Sequence, residues 1–192
     1  MPRAFNAQIT DHMLDAVKGW PRESAVDFEA KFDPAIVQEP IHEGRVAHVN
    51  AAGLFGIGAE GHQMPIFLLR ASDDFDVNND GGGKWESAMP HGVASGLVAT
   101  GAYELQVTEY ADGDYAPNDL LTSPSEATVG AGHEAQAGLL YNTKSWHGGD
   151  SSAVAAYDIE VCGVVSRGVR PSGHPGISVL AFWPVFIPAD ER

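Results

Sequence analysis

From Pro34 onward the chain is a series of short apolar segments separated by turn residues. Val46–Val49 lies between Gly44 and Asn50, and Leu54-Phe55 follows the break at Ala52-Gly53. Ile66–Leu69 begins after Pro65 and stops at the acidic stretch Ser72–Asp80. Leu97-Val98 and Tyr103–Thr108 are separated by Thr100-Gly101. In Tyr103–Thr108 the apolar Tyr103, Leu105 and Val107 alternate with Glu104, Gln106 and Thr108, the period-two pattern of a strand with one face in a core and one in water. Leu120-Leu121, Gly138–Tyr141, Val161–Val165 and Val179–Ile187 complete the series. Pro184 has no N–H for a ladder, so the last of these is expected at an edge, bulged or interrupted there. Many short strands with frequent turn signals predict an all-β fold, a β-sandwich or β-barrel, rather than alternating βαβ units.

Residues 1–33 read differently. Met13, Leu14 and Val17 within Thr10–Lys18 fit one short amphipathic helix, ended by Gly19 and Pro21. Arg22–Asp33 mixes charge with the isolated Phe28 and Phe32 and reads as an extended arm. The expected division is an N-terminal arm over 1–33, with at most one short helix, and a β-rich domain over 34–192. Two readings of the arm stand side by side: it docks on a neighbouring molecule, or it wraps its own domain.

Composition narrows the function. The 192 residues include 26 Asp and Glu against 11 Lys and Arg, a formal charge of −15. Residues 1–96 hold 14 acids and residues 97–192 hold 12, so the acidity is not confined to a tail. With no clustered Lys and Arg, neither nucleic acid nor an anionic membrane is an expected partner. No apolar run approaches the ~20 residues that span a bilayer. The opening Met1–Asn6 lacks the apolar stretch of a secretory signal. A single cysteine, Cys162, excludes a disulfide framework within the chain and, from its apolar surroundings, reads as an inert core thiol.

The candidate chemical motifs fail on context. Gly56-Ile57-Gly58-Ala59-Glu60-Gly61 fits G-x-G-x-x-G, but Pro65 would break the helix that a dinucleotide site needs. Gly81-Gly82-Gly83-Lys84 has neither the first glycine nor the following Ser or Thr of a phosphate loop, and Gly92–Gly96 misplaces Ser95 for a nucleophile elbow. Asp76, Asn78 and Asp80 with Gly81 match the opening of a calcium loop, but Ser87 stands where the closing Glu belongs. A solvated acidic turn is the competing reading there. None of the eight histidines has a helical ligand spacing, and His48, inside a strand, reads as a packed or hydrogen-bonded imidazole. The reading therefore assigns no catalytic, cofactor-binding or metal residue, no cofactor and no enzyme activity. Phe182, Trp183 and Phe186 read mainly as core, with a share in a subunit interface as the alternative.

Three segments together resemble a known group. They are Gly44–Phe55, then Ala99–Tyr110 with Tyr115–Thr122, then Gly163–Gly168 with Phe182–Pro188. Across most of residues 40–188 the order and pattern are similar to the capsid decoration (cement) proteins, and related small β-rich head proteins, of tailed bacteriophages. The resemblance implies a non-enzymatic virion protein on the capsid exterior, made in the host cytoplasm. Its partner would be the major capsid protein, and it would self-associate, often as a trimer, while bracing contacts between capsid subunits. Another virion component, such as a head-fibre base or tail-associated subunit, is the alternative, ahead of a ligand- or metal-binding β-barrel enzyme. The resemblance does not extend to the arm.

Overall fold

The computed structural model describes residues 14–18, 25–33, 35–36, 41–60, 63–68, 93–99, 101, 103–129, 131–146, 160–172 and 175–188. In chain order the strands are β1 (Leu14–Lys18), β2 (Ala25–Lys31), β3 (Val46–Val49), β4 (Phe55–Ile57), β5 (Ile66–Leu68) and β6 (Val93–Val98). They continue with β7 (Glu104–Val107), β8 (Leu120–Thr122), β9 (Tyr141–Asn142), β10 (Gly163–Pro171) and β11 (Ser178–Trp183). Between β8 and β9 lie one helical turn, α1 (Glu126–Val129), and a 3-10 turn, Glu134–Gln136. Two antiparallel sheets result, one of six strands in the order β1-β7-β11-β10-β8-β9 and one of five in the order β2-β6-β5-β3-β4. The fold is the expected all-β sandwich, and it is not a closed barrel.

The two sheets share one core. Leu105, Val107, Leu121, Val165, Leu180 and Phe182 from the six-stranded sheet meet Val46, Phe67 and Leu97 from the other. The Phe67 and Phe182 rings, one from each sheet, lie 5.2 Å apart in a tilted pair, within the favoured range for aromatic contacts. A second core covers the opposite face of the five-stranded sheet, where Ala47, Phe55, Ile57, Ile66 and Leu68 pack with Val129, Ala137 and Trp146. That sheet is therefore buried on both faces, which explains why β5 is an unbroken apolar run without alternation. Its curl is strong. Lys31 pairs with β6, yet the next residue, Phe32, bridges Phe55 on β4 at the far edge of the same sheet.

The helix expected over Thr10–Lys18 is not found at its described end: Leu14–Lys18 is strand β1, antiparallel to β7 at a sheet edge. A nine-residue window carries too few turns for period to separate the two structures, and pairing with an open strand edge overrides the weak local preference. The segment read as an arm supplies a second strand, β2, paired with β6. β1 and β2 are thus the first strands at an edge of the six-stranded and of the five-stranded sheet, each paired within its own chain. Leu14 lies in the shared core.

Candidate functional site

Four polar clusters hold the sheets and loops together. In the most buried, Arg45 precedes β3 and its Nε donates to the Glu109 carboxylate beyond β7. Arg45 Nη1 also donates to the carbonyls of Ala135 and Ala137, at 2.8 and 2.6 Å. Burial holds Arg45 below the usual guanidinium range, and the Glu109 charge offsets part of that shift. This single side chain ties the start of β3, the residues after β7 and the 3-10 turn together. Glycines permit close packing here: at Gly138, φ +77°, a Cβ would stand 3.0 Å from the Val46 carbonyl oxygen and 3.3 Å from Arg45 Cδ. Gly58 has φ +87°, and a Cβ there would fall 2.1 Å from the Pro124 carbonyl oxygen.

The second cluster lies on the outer face of the six-stranded sheet. Glu104 is fully buried, and its carboxylate accepts from Ser166 Oγ at 2.6 Å and from Arg167 Nε and Nη2 at 2.8 and 2.6 Å. Ser166 and Arg167 reach it because the β10–β11 register shifts between Val165 and Gly168, a bulge that places two residues of β10 opposite none of β11. Gly168, at φ +73°, completes the bulge against the Tyr115 carbonyl oxygen, 2.6 Å from where a Cβ would stand. The alternation of β7 places Glu104 on the outer face, as expected, but that face is roofed by the bulge instead of open to water.

Asp119 centres the third. Its carboxylate accepts from Ala116 N and from Asn142 Nδ2, both at 2.8 Å, and pairs with Lys144 Nζ. The Lys144 hydrogen bond, followed by the Ala116 N–H, lowers the Asp119 carboxyl below its usual range. Together they pin the 114–119 turn to β9. In the fourth, the buried His48 ring sits over Gly56, with Nδ1 2.9 Å from the Gly58 carbonyl and Nε2 2.9 Å from the Glu60 carboxylate. A carbonyl only accepts, so Nδ1 is the donor. Any side chain on Gly56 would collide with the ring, at 2.5 Å from Cε1.

The remaining sequence candidates fall into place around these clusters. His48 is the hydrogen-bonded imidazole expected within a strand. Gly56-Ile57 ends β4, and Gly58, just beyond it, donates its N–H to Val46 O, so these glycines open no helix. Cys162 is buried with Sγ 3.5 Å from Leu121 O. Phe182 is core, while Trp183 and Phe186 are half-buried. Ser95 lies in β6. Asp76, Asn78 and Asp80, the glycine run at 81–83 and five of the histidines lie outside the described residues. Among the described residues no three His, Cys, Asp or Glu side chains converge as a metal site, and no helix is long and apolar enough to cross a membrane.

Sequence reasoning missed the Arg45–Glu109 and Asp119–Lys144 pairs, whose partners are 64 and 25 residues apart. The signal within reach was Ser166-Arg167-Gly168, a polar pair and glycine inside a strand, which is a bulge pattern. No protein-family model, no curated protein and no solved structure matches this chain.

Proposed function

We propose that this protein is a non-catalytic structural module of a tailed-phage virion, bound to the outside of the capsid and bracing contacts between major capsid subunits. The observation that carries this reading is the use of its buried charges. Arg45, Glu104, Glu109 and Asp119 are each closed within the chain and fasten loops to sheets. Such a frame suits a module that must keep its shape under load, because fully satisfied polar networks rigidify and specify one packing. The segments that resemble decoration proteins support it further. They supply β3, β7, β8 and parts of β10 and β11, strands of both sheets around one core. A strongly acidic surface would keep such a protein off packaged nucleic acid.

A lattice-bound module gains its affinity from repeated contacts and buried area, without an active-site cleft. Cosedimentation with heads of the encoding phage, stripped of accessory proteins, tests the reading. Saturable binding at a fixed ratio to the major capsid subunit is expected. Absence of binding to heads, with binding to tails or fibres instead, would replace it with the tail-associated alternative.

A further inference from the structure

Four segments that meet at one end of the sandwich are uncharged. By the antiparallel register, the turn after β3, the residues before β5 and those after β6 share one end of the five-stranded sheet, since Val49 pairs with Phe55, and Ile66 with both Ala47 and Val98. Ala99 N donates to Pro65 O at 3.3 Å and Gly101 N to Pro184 O at 2.6 Å, which brings the segment after β11 to the same place. Residues 49–54, 63–65, 98–103 and 184–188 contain no Asp, Glu, Lys, Arg or His, in a chain of which 19% is charged.

This end is also apolar and open to solvent. Met64 is 48% exposed, one of two large hydrophobic side chains so exposed among the described residues. Ala51 and Ala52 are exposed at the tip of the β3–β4 turn, and Val185, Phe186 and Ile187 are half-buried. The acids that border it have partners within the chain. Asp33 accepts from Asn50 Nδ2 at 2.8 Å, Glu60 lies 2.9 Å from His48 Nε2, and Glu104 is closed by Arg167. Half-buried Glu160 flanks it, one residue before the Val161–Ile187 bridge. The opposite end differs. Asp112 and Asp114 stand exposed after β7, and the β5–β6 connection, residues 69–92, holds five acids against two bases in its sequence. An apolar centre with charge displaced to its border is the make-up of a protein interface.

We propose that this end is the face that docks on the capsid, with Met64 and the Ala51-Ala52 tip seated against an apolar, uncharged patch of the major capsid subunit and the acidic end turned away from the lattice. The inference rests on the capsid reading and adds the docking face and the orientation to it. The occupant follows from the distribution of charge. On a protein of formal charge −15, this is the end that can lose water without stripping it from unpaired carboxylates. Its four segments hold no Lys or Arg to meet an anionic bilayer. Methionine supplies a side chain that adapts to an irregular partner surface.

Cosedimentation of the full chain with stripped heads of the encoding phage, read as bound protein per major capsid subunit, tests it. Wild-type binding should change little between about 0.1 and about 1 M NaCl, because apolar contact is not screened. Met64→Asp and Ala52→Asp should each weaken binding about tenfold or more, while Met64→Leu keeps most of it. Asp112→Lys, at the opposite end, should bind like the wild type. Near-UV circular dichroism reports whether each variant folds, and Ala52→Asp with the salt series carries the test should Met64→Asp disturb the packing. Wild-type binding with M64D and A52D binding equally well, a steep loss of binding with salt, or loss of binding in D112K would overturn the docking face and leave the capsid reading standing. Heads that take up no wild-type protein would overturn the capsid reading and the face with it. An M64D protein that keeps capsid binding but loses self-association in sedimentation velocity would assign the face to a second copy and overturn the proposal.

Discussion

Replacing Arg45 by Met removes a cation from one of the least accessible places in the molecule. The change breaks the ion pair to Glu109 and deprives the Ala135 and Ala137 carbonyls of their Nη1 donor. The Met chain fills much of the volume of the Arg stem, so little of the effect is cavity formation. Both partners are buried, so removing one member places the loss in the range for broken buried pairs, about 3–5 kcal/mol. For a chain of this size each kcal/mol shifts Tm by about 2–4 °C, so a fall of roughly 6–20 °C is expected. Urea unfolding at 25 °C, with the m-value unchanged, measures the free energy directly. The double variant R45M/E109L separates charge from packing. Without the carboxylate there is no isolated charge, and part of the loss should return, giving a coupling of about 1–3 kcal/mol. R45M within about 1 kcal/mol of the wild type, or an E109L change that simply adds to it, would refute the reasoning.

Three further outcomes follow from named contacts. Asp119 has a folded-state pKa below its unfolded value, so its contribution is complete above about pH 4–5 and is lost as pH falls through the folded value. The stability difference between the wild type and Asp119→Asn, followed by urea titration, should therefore be flat at neutral pH and shrink on acidification; a difference that grows in acid contradicts the assignment. Gly58→Ala and Gly168→Ala each set a Cβ against a carbonyl oxygen at positive φ. Both should lose about 3 kcal/mol or more, whereas Asn118→Gly, at an exposed turn with φ +73°, should stay within about 1 kcal/mol in the same assay. The Cys162 thiol, buried in the core between the sheets, should resist a disulfide reagent in native protein and react at once in denaturant; rapid native reaction would place it elsewhere.

The strands that could be read from sequence share a property: each is a short apolar run with a glycine, proline or asparagine at its boundary. β3 runs over Val46–Val49 between Gly44 and Asn50, and β11 stops at Trp183, one residue before Pro184. β1 was illegible because Leu14–Lys18 has no strand signal of its own, and its conformation comes from the open edge of β7. The arm as a whole was half legible. Its extended character was apparent, but strand pairing is a property of the partner, and the paired residues of β2 and β6 are 62 to 72 positions apart in the chain. α1 rests on a single turn, with Thr128 N and Val129 N donating to Ser125 O, too short for any periodicity to show.

The polar frame was the least accessible part. Alternation correctly put Glu104 opposite the core face, but it could not reveal that Ser166 and Arg167 would roof it, because a bulge in β10 is what aims them across β11. Arg45, Glu109, Asp119 and Lys144 read as surface charges when taken singly. Each becomes structural when the fold brings together residues 25 or 64 positions apart.

Electron cryomicroscopy of stripped heads before and after incubation with the protein tests the central claim most directly. The account predicts new density on the outer capsid surface at fixed positions on the lattice, of a size to hold the two-sheet sandwich and in contact with more than one capsid subunit. A difference map without external density, or with density confined to the interior or the tail, would contradict it.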